Sequence, residues 1–293
     1  MALTVLIIGC GDIGITLGRK LLAQGHRVIG VRRQAEALEG TGIEPLALDL
    51  DALDDADASA LPHADYVIYT VSADHFEESA YRRAYPEGLK NVLKVLEQHD
   101  APPQRVLFVS STSVYGQQEG ELVNEESPTE STSFSGRLMR DAEQALIDHA
   151  IPGTVVRFSG IYGPGRDRLI HQVAEGRVAA ITPVVYSNRI HRDDCVGLLM
   201  HFIQCQEQGQ PLENLYLASD CEPATLHNVM MWLASQLKVD ATETMQSPLR
   251  RRTSKRCDNS RVLQSGYQFL YPTYREGYQQ VLKAGGFLDA QKA

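Results

Sequence analysis

The 293-residue chain is short of positive charge: 28 Lys and Arg stand against 37 Asp and Glu, a net charge of -9. Gripping a phosphate backbone or an acidic membrane surface needs an excess of cations on one face, so neither nucleic acid nor membrane is an expected partner. The local exception is the basic run "RRRTSKR", Arg250 to Arg256. Cysteine is also sparse. Cys10, Cys195, Cys205, Cys221 and Cys257 form no C-x-x-C pair and have no histidine at zinc spacing, so neither a disulfide framework nor a metal is expected. An odd set of scattered thiols predicts a reducing, cytoplasmic setting. No run of about 18 apolar residues occurs, so no spanning helix is predicted. The apolar start, "MALTVLIIGCGDIG", lacks a basic leader and leads directly into a glycine loop; it reads as a buried strand rather than a signal peptide. Two more absences matter later: no tyrosine lies between Tyr115 and Tyr162, and no lysine between Lys94 and Lys238.

What is present alternates. "TVLIIG" is an apolar run suited to a strand buried on both faces of a parallel sheet, and "GITLGRKLLAQG" follows with helical spacing at Ile15, Leu17, Leu21 and Leu22, ending at Gly25. "HRVIGVR", "IEPLALDL", "ADYVIYTVS", "QRVLFVSST" and "GTVVRFSGI" read as further strands, and "GLKNVLKVLEQH" puts Leu89, Val92, Leu93 and Leu96 on one helical stripe. Strands alternating with helices predict an α/β fold with a doubly wound parallel sheet, the Rossmann arrangement.

"GCGDIG" supplies Gly9, Gly11, Asp12, Ile13 and Gly14 in the pattern G-x-G-x-x-G, after the first strand and opening the first helix. A pyrophosphate needs that tight turn, close backbone approach and a helix N-terminus aimed at it, so the loop predicts dinucleotide binding. An NAD-selective protein usually ends the second strand on an acidic side chain for the ribose hydroxyls; here Arg32 and Arg33 stand about 18 residues past Gly14. Two guanidinium groups suit a 2'-phosphate, so NADP is the preferred cofactor, with NAD still open. Asp49, beside Leu50 at the end of the third strand, has two readings: an acceptor for the adenine amino group, or a helix cap.

"FVSSTSVYG" from Phe108, with "GLKNVLKVLE", "RFSGIYGPGR" from Arg157, "NRIHRDDCV" from Asn188 and "DNSRVLQSGYQFLYP" from Asp258, resembles, in order, the extended branch of the short-chain dehydrogenase/reductase superfamily, the nucleotide-sugar epimerases and dehydratases. The resemblance implies a Rossmann domain over residues 1–160, with 188–218 returning to it, and a smaller C-terminal substrate lobe over 161–293. It implies that Ser111 is the catalytic hydroxyl and that Ser110 lies beside it. Thr70, Val71 and Ser72 pass under the pyrophosphate and ribose, and Phe158, Ser159 and Gly160 pass the nicotinamide end. It places Tyr115, Ser135, Met139, Tyr162, Arg166 and His191 around the substrate, a small polar metabolite or nucleotide sugar. The basic run falls where relatives bind a sugar-nucleotide diphosphate, although a solvated loop reads equally well. His191 with Asp193 or Asp194 matches a signature that supports the lobe junction. A homodimer is implied through the helices of "GLKNVLKVLE" and "GRLMRDAEQAL".

The same resemblance exposes a departure. Relatives carry a Tyr-x-x-x-Lys pair in which Tyr passes the proton and Lys lowers its pKa. In "SFSGRLMRDAE", Ser133 to Glu143, Ser135 stands at the Tyr position and Met139 at the Lys position, and the gaps in tyrosine and lysine rule out any local shift that restores the pair. Arg137 and Arg140 add charge but exchange no proton. Tyr85, Tyr115, Tyr162 and His191 are the candidate replacements. Two functions follow: an epimerase-like oxidoreductase with non-standard proton transfer, or a non-catalytic redox sensor.

Overall fold

The computed structural model describes residues 1–53, 56–245 (243–245 as backbone only) and 254–288. Its centre is a seven-stranded parallel sheet made of β1 (Thr4–Ile8), β2 (Arg27–Arg32), β3 (Glu44–Ala47), β4 (Tyr66–Tyr69), β5 (Arg105–Ser111), β6 (Gly153–Phe158) and β7 (Leu215–Ala218). The spatial order is β7-β6-β5-β4-β1-β2-β3. The order reverses between β1 and β4, where open α/β sheets leave a crevice beyond the strand ends. Each predicted strand is present within a few residues of its expected bounds. The continuous apolar runs have the expected cause: Val5, Leu6, Ile7, Ile8, Tyr66, Val67, Ile68 and Tyr69 are all fully buried, as a strand covered on both faces requires.

Helix α1 (Asp12–Ala23) starts at the glycine loop and stops at Gly25, whose φ of +83° is the left-handed turn that ends many helices. Helix α2 (Gly88–Leu96) buries the predicted stripe of Leu89, Val92, Leu93 and Leu96. Helix α3 (Phe134–Ile147) carries the "SFSGRLMRDAE" segment. Its first turn is held by Ser133, whose hydroxyl accepts from the backbone N–H of Gly136 at 3.0 Å.

The chain forms two compact units. The first comprises residues 1–114, 131–157 and 196–216; the second comprises 115–130, 158–195 and 217–293. Thus residues 115–130 and 188–195, which the sequence places with the dinucleotide fold, go with the second unit. Helix α4 (Arg192–Glu207) starts in the second unit and ends in the first. The second unit is built on α5 (Leu226–Leu237) and α6 (Tyr274–Ala284), whose Val229, Leu233, Tyr274 and Tyr278 form one core with Tyr162, Ile170 and Val173. Two short strands, Gly160–Tyr162 and Arg189–His191, pair in parallel beside it. Among the described residues no helix is long and apolar enough to cross a membrane.

Candidate functional site

In the first unit the glycine loop has the backbone form its spacing predicts. Gly9 has a φ of +80°, and a Cβ there would fall 2.5 Å from the Cα of Val71, so only glycine lets β1 and β4 approach this closely. The Gly11 N–H turns back to the Gly9 carbonyl at 2.7 Å, and α1 begins one residue later. A Cβ on Gly14 would fall 2.9 Å from Ile7, which accounts for the third glycine as close helix-to-strand packing. Asp12 and Ile13 form the first turn of α1. Thr70 donates its hydroxyl to the Gly9 carbonyl at 2.9 Å and locks the start of the Thr70–Val71–Ser72 segment to the loop.

Of the two arginines, Arg32 reaches back over this loop, its guanidinium 3.5 Å from the Cys10 carbonyl. Arg33 instead pairs with Asp74 at 2.5 Å, with both side chains about half exposed. The Asp49 carboxylate accepts from the Asp51 N–H at 3.2 Å and starts the 3-10 turn Leu50–Leu53, so its capping role is realised.

Ser111 ends β5, and its hydroxyl accepts from the Ser113 N–H at 3.2 Å. Its neighbour Ser110 points the other way, into a cluster that sequence reading missed. The Ser110 hydroxyl donates to Glu143 at 2.5 Å, and Glu143 also takes a two-pronged contact from Arg157, at 2.9 Å from Nε and 2.6 Å from Nη2. Ser110, Glu143 and Arg157 are all buried. The only sequence signal for this clamp is an acidic residue on the otherwise apolar stripe of Leu138, Met139, Ala142 and Leu146.

Ser135 and Met139 lie on the buried face of α3, at 7% and 4% exposure. The Ser135 hydroxyl continues a short chain: Ser135 to Ser133 at 3.1 Å, then Ser133 to Ser131 at 2.9 Å. Of the other candidate acids, Tyr115 and His191 are committed elsewhere. Tyr85 is buried, and burial pushes its phenol upward. Tyr115 is fully buried and donates to the Asn124 carbonyl at 2.7 Å. His191 is fully buried as well: its Nδ1 accepts from the Asp193 N–H at 3.1 Å, Nε2 lies 3.3 Å from Gln280, and burial holds its pKa below the usual value. A ring with Nδ1 already accepting must carry its proton on Nε2 and stay neutral. Asp194 accepts from the Tyr267 hydroxyl and from the N–H groups of Leu270 and Tyr271, tying the 267–271 segment to the start of α4.

In the second unit a cavity of about 320 Å³ is lined by Tyr162, Arg166, Arg168, Asn188, Arg189 and Leu226, among others. Of the predicted substrate residues it gathers Tyr162 and Arg166; Tyr115 and His191 are not on its wall. Ser159 of the Phe158–Ser159–Gly160 segment donates its hydroxyl to Ser219 at 3.1 Å. Of the basic run, Arg250 to Thr253 lie outside the described residues. Lys255 is buried, with its ammonium 5.9 Å over the Tyr115 ring, and Arg256 donates to the Gly120 carbonyl at 2.8 Å, so these two serve internal packing. Among the described residues no group of three His, Cys, Asp or Glu is placed to hold a metal ion.

The sheet order and glycine loop define a Rossmann-type dinucleotide-binding protein. A family model, "NAD dependent epimerase/dehydratase family", matches residues 5–211, and the chain belongs to that family. It is 28% identical over 285 residues to Protein YeeZ of Escherichia coli K12, covering 92% of this chain and 96% of that one. A Methylobacillus flagellatus structure, provisionally described as an NAD-dependent epimerase/dehydratase, is 38% identical with a TM-score of 0.79, covering 97% of this chain and 99% of that one. Human epimerase family protein SDR39U1, solved with NADPH, shares the fold at 19% identity and a TM-score of 0.78, covering 96% of this chain and 99% of that one.

Proposed function

We propose that the protein is an NADP-preferring, epimerase-like oxidoreductase acting on a small polar metabolite or a nucleotide sugar, with proton transfer that does not use a Tyr/Lys pair. The observation that carries the reading is the form of the glycine loop: Gly9 makes a left-handed turn packed against the Val71 backbone, and the loop leads directly into the N-terminus of α1. The N–H groups of the first turn of α1 would face the pyrophosphate, over the loop that Gly9, Gly11 and Gly14 shape and Thr70 fixes. Arg32 would take a 2'-phosphate, and Arg33 would join it by exchanging Asp74, a trade that costs little because exposed ion pairs are weak. When bound, the nicotinamide supplies hydride transfer.

Ser111 would hydrogen-bond the substrate oxygen, its acceptor contact with Ser113 leaving the hydroxyl proton available to donate. The linked hydroxyls of Ser135, Ser133 and Ser131 offer a proton route in place of the tyrosine, because each serine both donates and accepts. Tyr85 and Tyr162 are poorer choices, since burial raises both phenols further from neutrality. The second reading, a dinucleotide-sensing module without turnover, is favoured by one observation. Met139, an uncharged and buried side chain, occupies the position at which relatives place a lysine.

NADP(H) at 100 times its dissociation constant should stabilise the protein by about 2.7 kcal/mol, which a melting curve resolves easily. Replacing Arg32 and Arg33 together with alanine should erase the preference for NADP over NAD while leaving NAD binding in place. A preference that persists in that variant would remove the arginines from the account of selectivity, and a melting point indifferent to both dinucleotides would remove the cofactor. With a metabolite panel in hand, Ser111→Ala should lower turnover about 100-fold. Dinucleotide binding with no turnover on any substrate selects the sensor.

A further inference from the structure

We infer that Asp74 is a built-in competitor for the 2'-phosphate: its ion pair with Arg33 forms a strap across the glycine loop that NADP opens and NAD leaves closed, so Asp74 sets how strongly NADP is preferred. This rests on the reading of the loop as an NADP site, and it adds the residue that tempers the preference. The strap follows from strand order. In the sheet β1 lies between β2 and β4 and pairs in parallel with both. Arg33 comes directly after β2, and Asp74 lies on the segment that follows Tyr69, the last residue of β4. Two strand spacings, about 10 Å, separate β2 from β4. An ion pair that joins their C-terminal extensions at 2.5 Å therefore spans the end of β1, where the glycine loop begins. Both feet of the strap rest on that loop. Arg32, beside Arg33, reaches the Cys10 carbonyl, while the Thr70 hydroxyl donates to the Gly9 carbonyl and the Val71 backbone packs against Gly9.

Electrostatics make Asp74 the anion already in place. Among the described residues the Arg33 side chain donates to Asp74 and to no other group. That contact holds the Asp74 carboxyl below the usual carboxylate range, so it is charged at neutral pH. The carboxylates of Asp49 and Asp51 lie close enough to attract Arg33 as well, more weakly than Asp74 does. The guanidinium is thus surrounded by negative charge before a ligand arrives, and a 2'-phosphate gains from it only the difference between its own contact and the one it displaces. Arg32 differs, because its guanidinium reaches a carbonyl and not a carboxylate. NAD carries a ribose hydroxyl where NADP carries the phosphate. It brings no charge to exchange for Asp74, so the pair stays closed. Because both side chains are half exposed, the strap is weak enough for a ligand to open.

The test titrates the full chain calorimetrically with NADPH and, separately, with NADH at constant ionic strength. Asp74→Asn keeps the shape of the side chain and removes its charge. In that variant NADPH should bind about fivefold more tightly, the ceiling for an exposed ion pair, and NADH should change by less than about twofold. Asp74→Lys puts a cation where the anion stood, so its gain in NADPH affinity should be larger, about tenfold. In an Arg33→Ala background the Asp74→Asn gain should disappear, because Asp74 acts through Arg33 and the two changes are then coupled. An NADPH affinity unchanged in both Asp74 variants overturns the inference, and so does an NADH gain that matches the NADPH gain. A gain that persists in full without Arg33 overturns it too, since Asp74 would then act by its own charge. If neither dinucleotide binds the parent protein, the NADP reading falls and the inference with it; binding of both dinucleotides with no response at Asp74 sinks the inference alone.

Discussion

Glu143→Leu should destabilise the protein by about 3–5 kcal/mol, because it takes the two-pronged carboxylate acceptor away from a buried cation. Arg157 is 5% exposed and its Nε and Nη2 both donate to Glu143, so the substitution removes two charge-assisted contacts where little water can replace them. The Ser110 hydroxyl loses its acceptor in the same step. For a protein of this size the melting point should fall by roughly 10 °C. The loss comes from a buried charge deprived of its counter-charge, not from the worth of the pair itself, so removing the other partner as well should restore much of it. Glu143→Leu combined with Arg157→Met should recover at least half the stability lost in the single variant, since a buried ion pair often does no better than apolar residues of similar volume. Denaturant melts of the two single variants and the double variant complete the cycle. A single variant within about 1 kcal/mol of the parent would mean that solvent reaches Arg157 and that the clamp is not closed.

The clamp also bears on the proposed chemistry. It fastens the end of β5 at Ser110 to α3 at Glu143, one helical turn from Met139, and so ties the strand that carries Ser111 to the helix that carries Ser135.

Asp220→Asn should stabilise the protein at pH 8 by up to about 4 kcal/mol and change little at pH 4. Burial at 1% exposure pushes the Asp220 carboxyl up to about 7, against an ordinary value of 3.8. Between those two values the folded protein holds a proton that the unfolded chain has released, so stability falls as pH rises from about 4 to about 7 and is level above. Arg189 opposes the rise, and the neighbouring carboxylates of Glu222 and Asp194 add to it. Asparagine keeps the shape and removes the charge, so the gain of the variant over the parent should grow through that window. His191 runs the other way in both proteins: its depressed value means that stability is lost as pH falls through the ordinary histidine range. Because that loss is common to both, the difference between their melting points isolates Asp220. A difference that does not vary between pH 4 and 8 would contradict an uncharged, buried carboxyl.

What was legible in the sequence was set by local backbone geometry. Gly9 and Gly14 must be glycine because a left-handed turn and two close approaches forbid a Cβ, and that demand is written in a short run of residues. The strands of the sheet were legible for a similar reason: burial on both faces leaves an unbroken apolar run. The missing Tyr and Lys are facts of sequence alone, since no fold can supply side chains the chain lacks.

Pairing and solvation needed the tertiary structure. The sequence left Asp49 two readings, and only the structure shows its carboxylate accepting from the Asp51 N–H at the turn Leu50–Leu53. Arg166 entered the site through the family resemblance, whereas Arg189, two residues before His191, did not; only burial without a hydrogen-bond partner on Nη1 and Nη2 separates it from an ordinary surface arginine. Glu143 meets Arg157 across 14 residues and Ser110 across 33, and Asp220 owes its raised pKa to its burial. Charge becomes costly or useful only when water is removed from it, and in a folded chain the removal is done by residues distant in sequence. The sequence by itself therefore determined the dinucleotide fold and the loss of the usual proton-transfer pair, and the tertiary structure decided which polar groups are buried, which are satisfied, and which still need a partner.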